Sequence, residues 1–173
     1  MVTSEVYDMN VLVAYRSITG NTKKIAEAIF DEIQVEKEVK AVEEVTSLDG
    51  YDLSFLGFPM EWFGPSEKVK QFLENYTKGK TIALFITHAS PEEGGAVLEG
   101  WLENFKQAAS DANLIGLFNC QGQLSQQIKQ YMLSHSNPDY RRWAEGDTSE
   151  DQPDAARVER ARRFAAEIME KVK

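Results

Sequence analysis

Residues 15–24 read YRSITGNTKK. They follow an apolar run, Val11-Leu12-Val13-Ala14, and lead into a stretch where Ile25, Ile29 and Ile33 recur every four residues. That pattern predicts a buried strand, a tight turn and an amphipathic helix. Ser17, Thr19 and Thr22 can donate to phosphate oxygens, Gly20 lets the backbone approach closely, and the first amides of the helix are free. The helix dipole adds ~0.3–2 kcal/mol for a negative group placed there. A plain cap by Thr19 or Asn21 would look similar but needs only one side chain. Polar residues at 17, 19, 21 and 22 beside a glycine point instead to a bound anion.

Three further apolar runs lie downstream: Phe55-Leu56-Gly57-Phe58, Ile82-Ala83-Leu84-Phe85-Ile86 and Leu114-Ile115-Gly116-Leu117-Phe118. They are continuous rather than alternating, as expected of parallel strands covered on both faces. A weaker run, Val39-Lys40-Ala41-Val42, reads as an edge strand near Asp49-Gly50. Amphipathic segments separate the strands. Val97, Trp101 and Phe105 recur every four residues, and Val158, Ala161, Phe164, Ala165 and Ile168 mark a last helix. Strands alternating with helices through right-handed crossovers predict an α/β fold, a doubly wound parallel sheet. The 173 residues suit a single domain, 1–173. Residues 134–153, SHSNPDYRRWAEGDTSEDQP, break the rhythm and read as an irregular polar insertion, functional or partly disordered.

A formal net charge of −9 repels phosphate backbones, so no nucleic-acid partner is expected. It would steer the chain toward basic patches on other proteins. No apolar run approaches the ~20 residues of a membrane span, so no membrane partner is expected either. Residues 1–8, MVTSEVYD, show no secretory signal, and the single cysteine, Cys120, allows no internal disulfide framework. A cytoplasmic, reduced protein is the expectation. Cys120 reads as a packing residue, and His88 with His135 make no convincing metal site, so no metal is expected.

In open α/β sheets ligands sit beyond the carboxyl ends of the strands. Those ends read Ser17–Thr22, then Pro59–Gly64 (PMEWFG), then Thr87–Gly95 (THASPEEGG), then Cys120–Gly122. Rival nucleotide loops fail. Gly79-Lys80-Thr81 lacks the glycine of a P-loop, the position five residues earlier being Glu74, and G-x-G-x-x-G is absent. A response regulator needs an aspartate where the strand here ends Gly57-Phe58-Pro59. Trp62 and Phe63 are costly to leave in water, and a flat aromatic ligand would repay their exposure, although packing on a neighbouring helix would serve as well.

Ser17-Ile18-Thr19-Gly20-Asn21-Thr22 resembles the flavodoxin phosphate loop, [ST]-x-T-G-x-T, at its expected place after the first strand. The Gly57-Phe58-Pro59 strand end, the Thr87 loop and a closing helix follow the same family over about residues 10–133 and 153–172. Phe118-Asn119-Cys120-Gln121-Gly122 resembles the C-Q-G strand end of a divergent flavodoxin-like subgroup. The resemblance implies a five-stranded sheet of order 2-1-3-4-5 with helices on both faces, holding FMN without a covalent bond. It places the phosphate on Ser17, Ile18, Thr19, Gly20, Asn21 and Thr22. The ring would lie between Pro59, Met60, Glu61, Trp62, Phe63 and Gly64 on one side and Thr87, His88, Ala89, Ser90, Gly94 and Gly95 on the other. Glu61, Glu92 and Glu93 are candidates for an acidic rim that disfavours the reduced, anionic flavin.

The third loop departs from the family in lacking an aromatic, and Arg16 stands where a small or neutral residue is usual, placed to help neutralise phosphate. His88 could contact the flavin or simply bond to backbone. Tyr140-Arg141-Arg142-Trp143, the basic-aromatic cluster of an acidic chain, could cover the flavin edge, dock a partner or form a salt-bridged surface loop. Two functions follow. The first is an electron carrier between redox partner proteins bearing basic patches, with no catalytic residues. The alternative is an FMN-dependent oxidoreductase acting on a quinone, flavin or other small molecule, its pocket shaped by 134–153.

Overall fold

The computed structural model describes residues 8–173. Five strands, β1 (Asn10–Tyr15), β2 (Glu36–Ala41), β3 (Leu53–Pro59), β4 (Thr81–His88) and β5 (Asn113–Gln121), form one sheet in the order β2-β1-β3-β4-β5. Every pairing is parallel. The helices are α1 (Asn21–Glu32), α2 (Glu67–Tyr76), α3 (Gly95–Ala108), α4 (Gln126–Ser134), α5 (Pro138–Glu145) and α6 (Ala155–Lys171). Only a single 3-10 turn, Val42–Glu44, stands between β2 and β3.

Strand side chains alternate between two cores. Leu12, Leu56, Phe58, Leu84 and Ile86 pack under α2 and α3 with Phe72, Leu73, Leu102 and Phe105. Val11, Val13, Phe55, Phe85 and Cys120 face α1 and α6 through Ile25, Ile29, Ala161, Ala165 and Ile168. Burial on both faces explains why these strands read as unbroken apolar runs. The edge strand β2 alternates charge through Glu36, Lys37, Glu38 and Lys40, which discourages pairing with another chain.

Two expectations need correction. In α3 the buried face is Leu98, Leu102 and Phe105, while Val97 is 61% exposed. Residues 134–153 are irregular only in part: within them Pro138–Glu145 is a helix, capped by the Asn137 side chain accepting from the Asp139 amide, with proline in its first turn, while 146–153 has no regular secondary structure. The return to α6 is tied down by several hydrogen bonds. Ser149 Oγ accepts from the Leu124 amide at 2.8 Å, the Gln123 amide donates to Gln152 O at 2.9 Å, and Lys24 Nζ donates to Pro153 O at 2.7 Å.

Candidate functional site

The first loop leaves β1 and enters α1 at Gly20, whose φ of 96° a side chain would resist. No side chain caps α1 from that position. Ser17 Oγ instead accepts from the Gly20 amide at 3.1 Å and the Lys23 amide at 3.3 Å. The amides of Asn21 and Thr22 open the helix and have no intrahelical partner. Asn21 does not cap; its Nδ2 donates to Gln123 O at 3.0 Å, joining this loop to the turn after β5. Thr19 and Ile18 are exposed, Ile18 by 60%.

Thr22 is buried, and its hydroxyl lies 2.8 Å from that of Thr87. One hydrogen bridges the two oxygens, which leaves the other free for a third acceptor. The first and third loops therefore meet at a pair of hydroxyls poised to donate.

The second loop is a tight turn. The Glu61 amide donates to Gly64 O at 3.0 Å, and the Met60 amide donates to Thr87 O at 2.8 Å. Trp62 and Phe63 occupy its centre with φ of 50° and 71°. Bulky residues there cost about 1–3 kcal/mol each unless surroundings hold them. Phe63 is held: its ring lies 4.8 Å from that of Trp101, and its carbonyl accepts from Asn104 Nδ2 at 3.3 Å. Trp62 is 56% exposed. Of the two aromatics, Phe63 packs and Trp62 is available.

Arg16 and Glu61 tie the second loop to the end of β1. Arg16 donates to Glu43 Oε1 at 3.1 Å, and its Nε lies 3.7 Å from Glu61 Oε2. That separation is too long for a hydrogen bond, and both atoms are buried without one. Arg16 is thus engaged by carboxylates on both sides.

In the third loop His88 does not face the mouth. It is buried, with Nδ1 3.0 Å from Ser90 O and Nε2 2.9 Å from the Asn119 side-chain amide. Burial drives its pKa below the ordinary histidine value, against the opposing pull of the Asn119 and Ser90 oxygens, which accept from the ring. Both partners present oxygens, Ser90 O at Nδ1 and Asn119 Oδ1 at Nε2, so a neutral ring, with one N–H, can donate to only one of them at a time. Glu92 also turns inward. Arg160 grips both its oxygens at 3.0 and 3.1 Å, Arg157 lies 3.0 Å away, and the Gln121 amide donates at 3.2 Å. Burial works to raise the Glu92 carboxyl, but Arg160, Gln121 and Arg157 outweigh it and hold it below its usual value.

The acidic rim is corrected accordingly: Glu61 and Glu92 are paired with arginines, and Glu93 alone of the three is exposed. Gln121 Nε2 donates to Ala89 O at 2.9 Å and the Gly122 amide to His88 O at 2.7 Å, so the end of β5 braces the third loop. Gly94 closes against Leu98 Cβ, and Gly95, at φ 57°, begins α3. Cys120 is buried, which pushes its thiol up to about 12.

The site also contains aromatics from α4 and α5. Tyr131 and Tyr140 each lie 6.2 Å from Trp62, and Trp143 lies 5.7 Å from Phe63. Tyr140 and Trp143 stood out in the sequence as a cluster; Tyr131 carried no signal. Nor did Arg157 and Arg160, whose partner Glu92 lies more than sixty residues away in the chain.

Among the described residues, no group of three or more histidine, cysteine or acidic side chains could hold a metal ion, and no helix is long and apolar enough to cross a membrane. A hollow of about 440 Å³ lies at the opposite, amino end of the sheet, bordered by Met9, Asp52, Thr81 and Asn113, away from these loops.

Residues 12–166 match the family model described as a flavodoxin domain. The chain is 36% identical to the flavodoxin-like domain-containing protein BilS of Clostridioides difficile (strain CD3), covering 93% of this chain and 97% of that protein. Among solved structures, a flavodoxin from the domain Archaea superposes with a TM-score of 0.59 at 18% identity, covering 95% of this chain and 99% of that one. A WrbA-like flavodoxin of Agrobacterium tumefaciens gives 0.60 at 18% identity, with 95% and 97% covered. Oxidised flavodoxin 2 of Bacillus cereus gives 0.57 at 22% identity, with 94% and 99% covered. The chain belongs to the flavodoxin family.

Proposed function

We propose that this flavodoxin-family chain binds FMN without a covalent bond and carries electrons between protein partners. The observation that carries the reading is the start of α1. Its cap position is a glycine with φ 96°, its first amides are open, and the Thr22–Thr87 pair has a hydrogen to give. Such a cradle suits a phosphate dianion, which the helix dipole and charge-assisted hydrogen bonds favour. Trp62, exposed and held in a strained turn, suits one face of a flat ring. FMN would supply the redox chemistry; the chain's own groups bind, orient and shield it.

Ser17, Thr19 and Thr22 would hold the phosphate, with the backbone of Ile18, Gly20 and Asn21 around it. Pro59–Gly64 would take one side of the ring and Thr87–Gly95 the other, with His88 bracing the loop from within. The net charge of −9 supports partners with basic docking patches. A second reading, an FMN-dependent reductase of a quinone or other small molecule, draws on the aromatics of α4 and α5. They stand over the second loop and could shape a substrate pocket.

The purified protein should be yellow and release FMN on denaturation; a colourless chain that ignores added FMN sinks the reading. Thr19→Ala/Thr22→Ala should weaken FMN by roughly tenfold or more, since hydrogen bonds to a charged group are at stake, and riboflavin far less. Equal losses would refute the phosphate assignment. Stepwise reduction, followed by NAD(P)H with quinones, separates the two functions: turnover by the protein alone favours the reductase.

A further inference from the structure

We propose that the α4–α5 hairpin is a wall of the ring site, with Tyr131 and Tyr140 confining the flat ring of the flavin against Trp62. This rests on the flavin reading above and adds residues to it. The hairpin leaves the sheet after β5 and returns there, since Asp154 caps α6 directly beyond it. Trp62 belongs to the loop after β3, and β4 lies between β3 and β5. To reach Trp62 and Phe63, Tyr131, Tyr140 and Trp143 must cross the end of β4. The hairpin therefore spans the interval between the second and third loops, where a ring held by both would lie.

The third loop supplies no opposing aromatic. Its one ring, His88, is buried with an oxygen beside each nitrogen. A second wall must come from elsewhere, and the hairpin brings two tyrosines to the place. Their contacts with Trp62 are edgewise or tilted, with interplanar angles of 84° and 51°. Among the described residues no ring lies parallel on the Trp62 indole, and Trp62 keeps 56% of its surface exposed.

The hairpin is also built to hold position. Lys129 Nζ pairs with Asp147 at 3.1 Å, the Ser149 amide donates to the same carboxylate at 2.9 Å, and Gln121 Nε2 reaches Thr148 Oγ1 at 3.1 Å. Side chains on anchored helices position a ligand more tightly than side chains on loops.

The test is flavin titration of the full chain, read by flavin fluorescence. Tyr131→Leu/Tyr140→Leu should weaken FMN and riboflavin by the same factor, about tenfold, because the contact is to the ring. Tyr131→Phe/Tyr140→Phe should recover most of the loss. On the unaltered protein, saturating FMN should slow nitration of Tyr131 and Tyr140 by tetranitromethane, read by peptide mass mapping, while Tyr76 reacts as before. This second measurement needs no variant to fold. Wild-type affinity in the leucine variant, or nitration indifferent to FMN, overturns the wall and leaves FMN binding standing. No flavin binding by the unaltered chain overturns both.

Discussion

His88 is buried at the end of β4 with each ring nitrogen against an oxygen-bearing partner. Its depressed pKa makes a pH prediction. The folded protein keeps the ring neutral while the unfolded chain protonates it, so the unfolded state binds more protons below pH ~6.5. The stability this ring contributes is complete above that pH and is lost as pH falls toward the folded value. Urea unfolding between about pH 7.5 and 5.5 should show a smaller fall for His88→Gln than for wild type; parallel curves would mean that folding leaves the ring's pKa where the unfolded chain has it. That a histidine stands at a strand's carboxyl end was legible. That Asn119 and Ser90 take both nitrogens was not, because Asn119 comes from another strand. The Ser17–Thr22 loop was more legible, since its turn, glycine and helix start are contiguous in the chain. Only its cap differed: Ser17, not Thr19 or Asn21, serves the helix amides.

Elements were read best where their signal is local. Four apolar runs became β1, β3, β4 and β5, because a strand buried on both faces needs no partner to reveal it. Helix faces were harder. Residues four apart drift by about 40° around a helix, so an i, i+4, i+8 set marks a side without fixing its centre. Ile25, Ile29 and Ile33 sit wholly inside, whereas Val97 lies beyond the edge of its buried face. The interior of β3 supplies a sharper case. A Cβ at Gly57 would fall 1.9–2.6 Å from ring atoms of buried Phe85 on the next strand. Gly57→Ala should therefore destabilise by about 1–3 kcal/mol, as overpacking does. Gly100→Ala, in α3 with nothing within 4 Å of the new methyl, should stabilise by about 0.5–1 kcal/mol. Urea midpoints check both, and equal effects would mean that helix propensity and strand packing have been misjudged.

The whole molecule carries −9, and that charge repels itself. Its ion pairs lie mostly on exposed or half-exposed side chains, as in Lys23–Glu27 and Lys106–Glu103. Such pairs contribute about 0–1 kcal/mol each and weaken with salt, while screening also relieves the net repulsion. Relief should win. Tm should rise by a few degrees between about 10 and 150 mM NaCl, and a fall would show that the ion pairs dominate.

At this scale sequence and structure part company. The sequence by itself determined the parallel sheet, the glycine turn that leads from β1 into α1 and the place of the aromatic turn after β3, because each is written in neighbouring residues whose periodicity and turn chemistry act locally. Tertiary structure decided that Arg157 and Arg160 reach back to Glu92, which removes it from an acidic rim. It also decided that a polar stretch read as an irregular insertion contains a helix, α5, that carries Tyr140 to Trp62 beside Tyr131 of α4. Those contacts join residues tens of positions apart. They exist only because the sheet order sets β4 between β3 and β5, and a hairpin anchored at β5 must cross it to find an apolar partner.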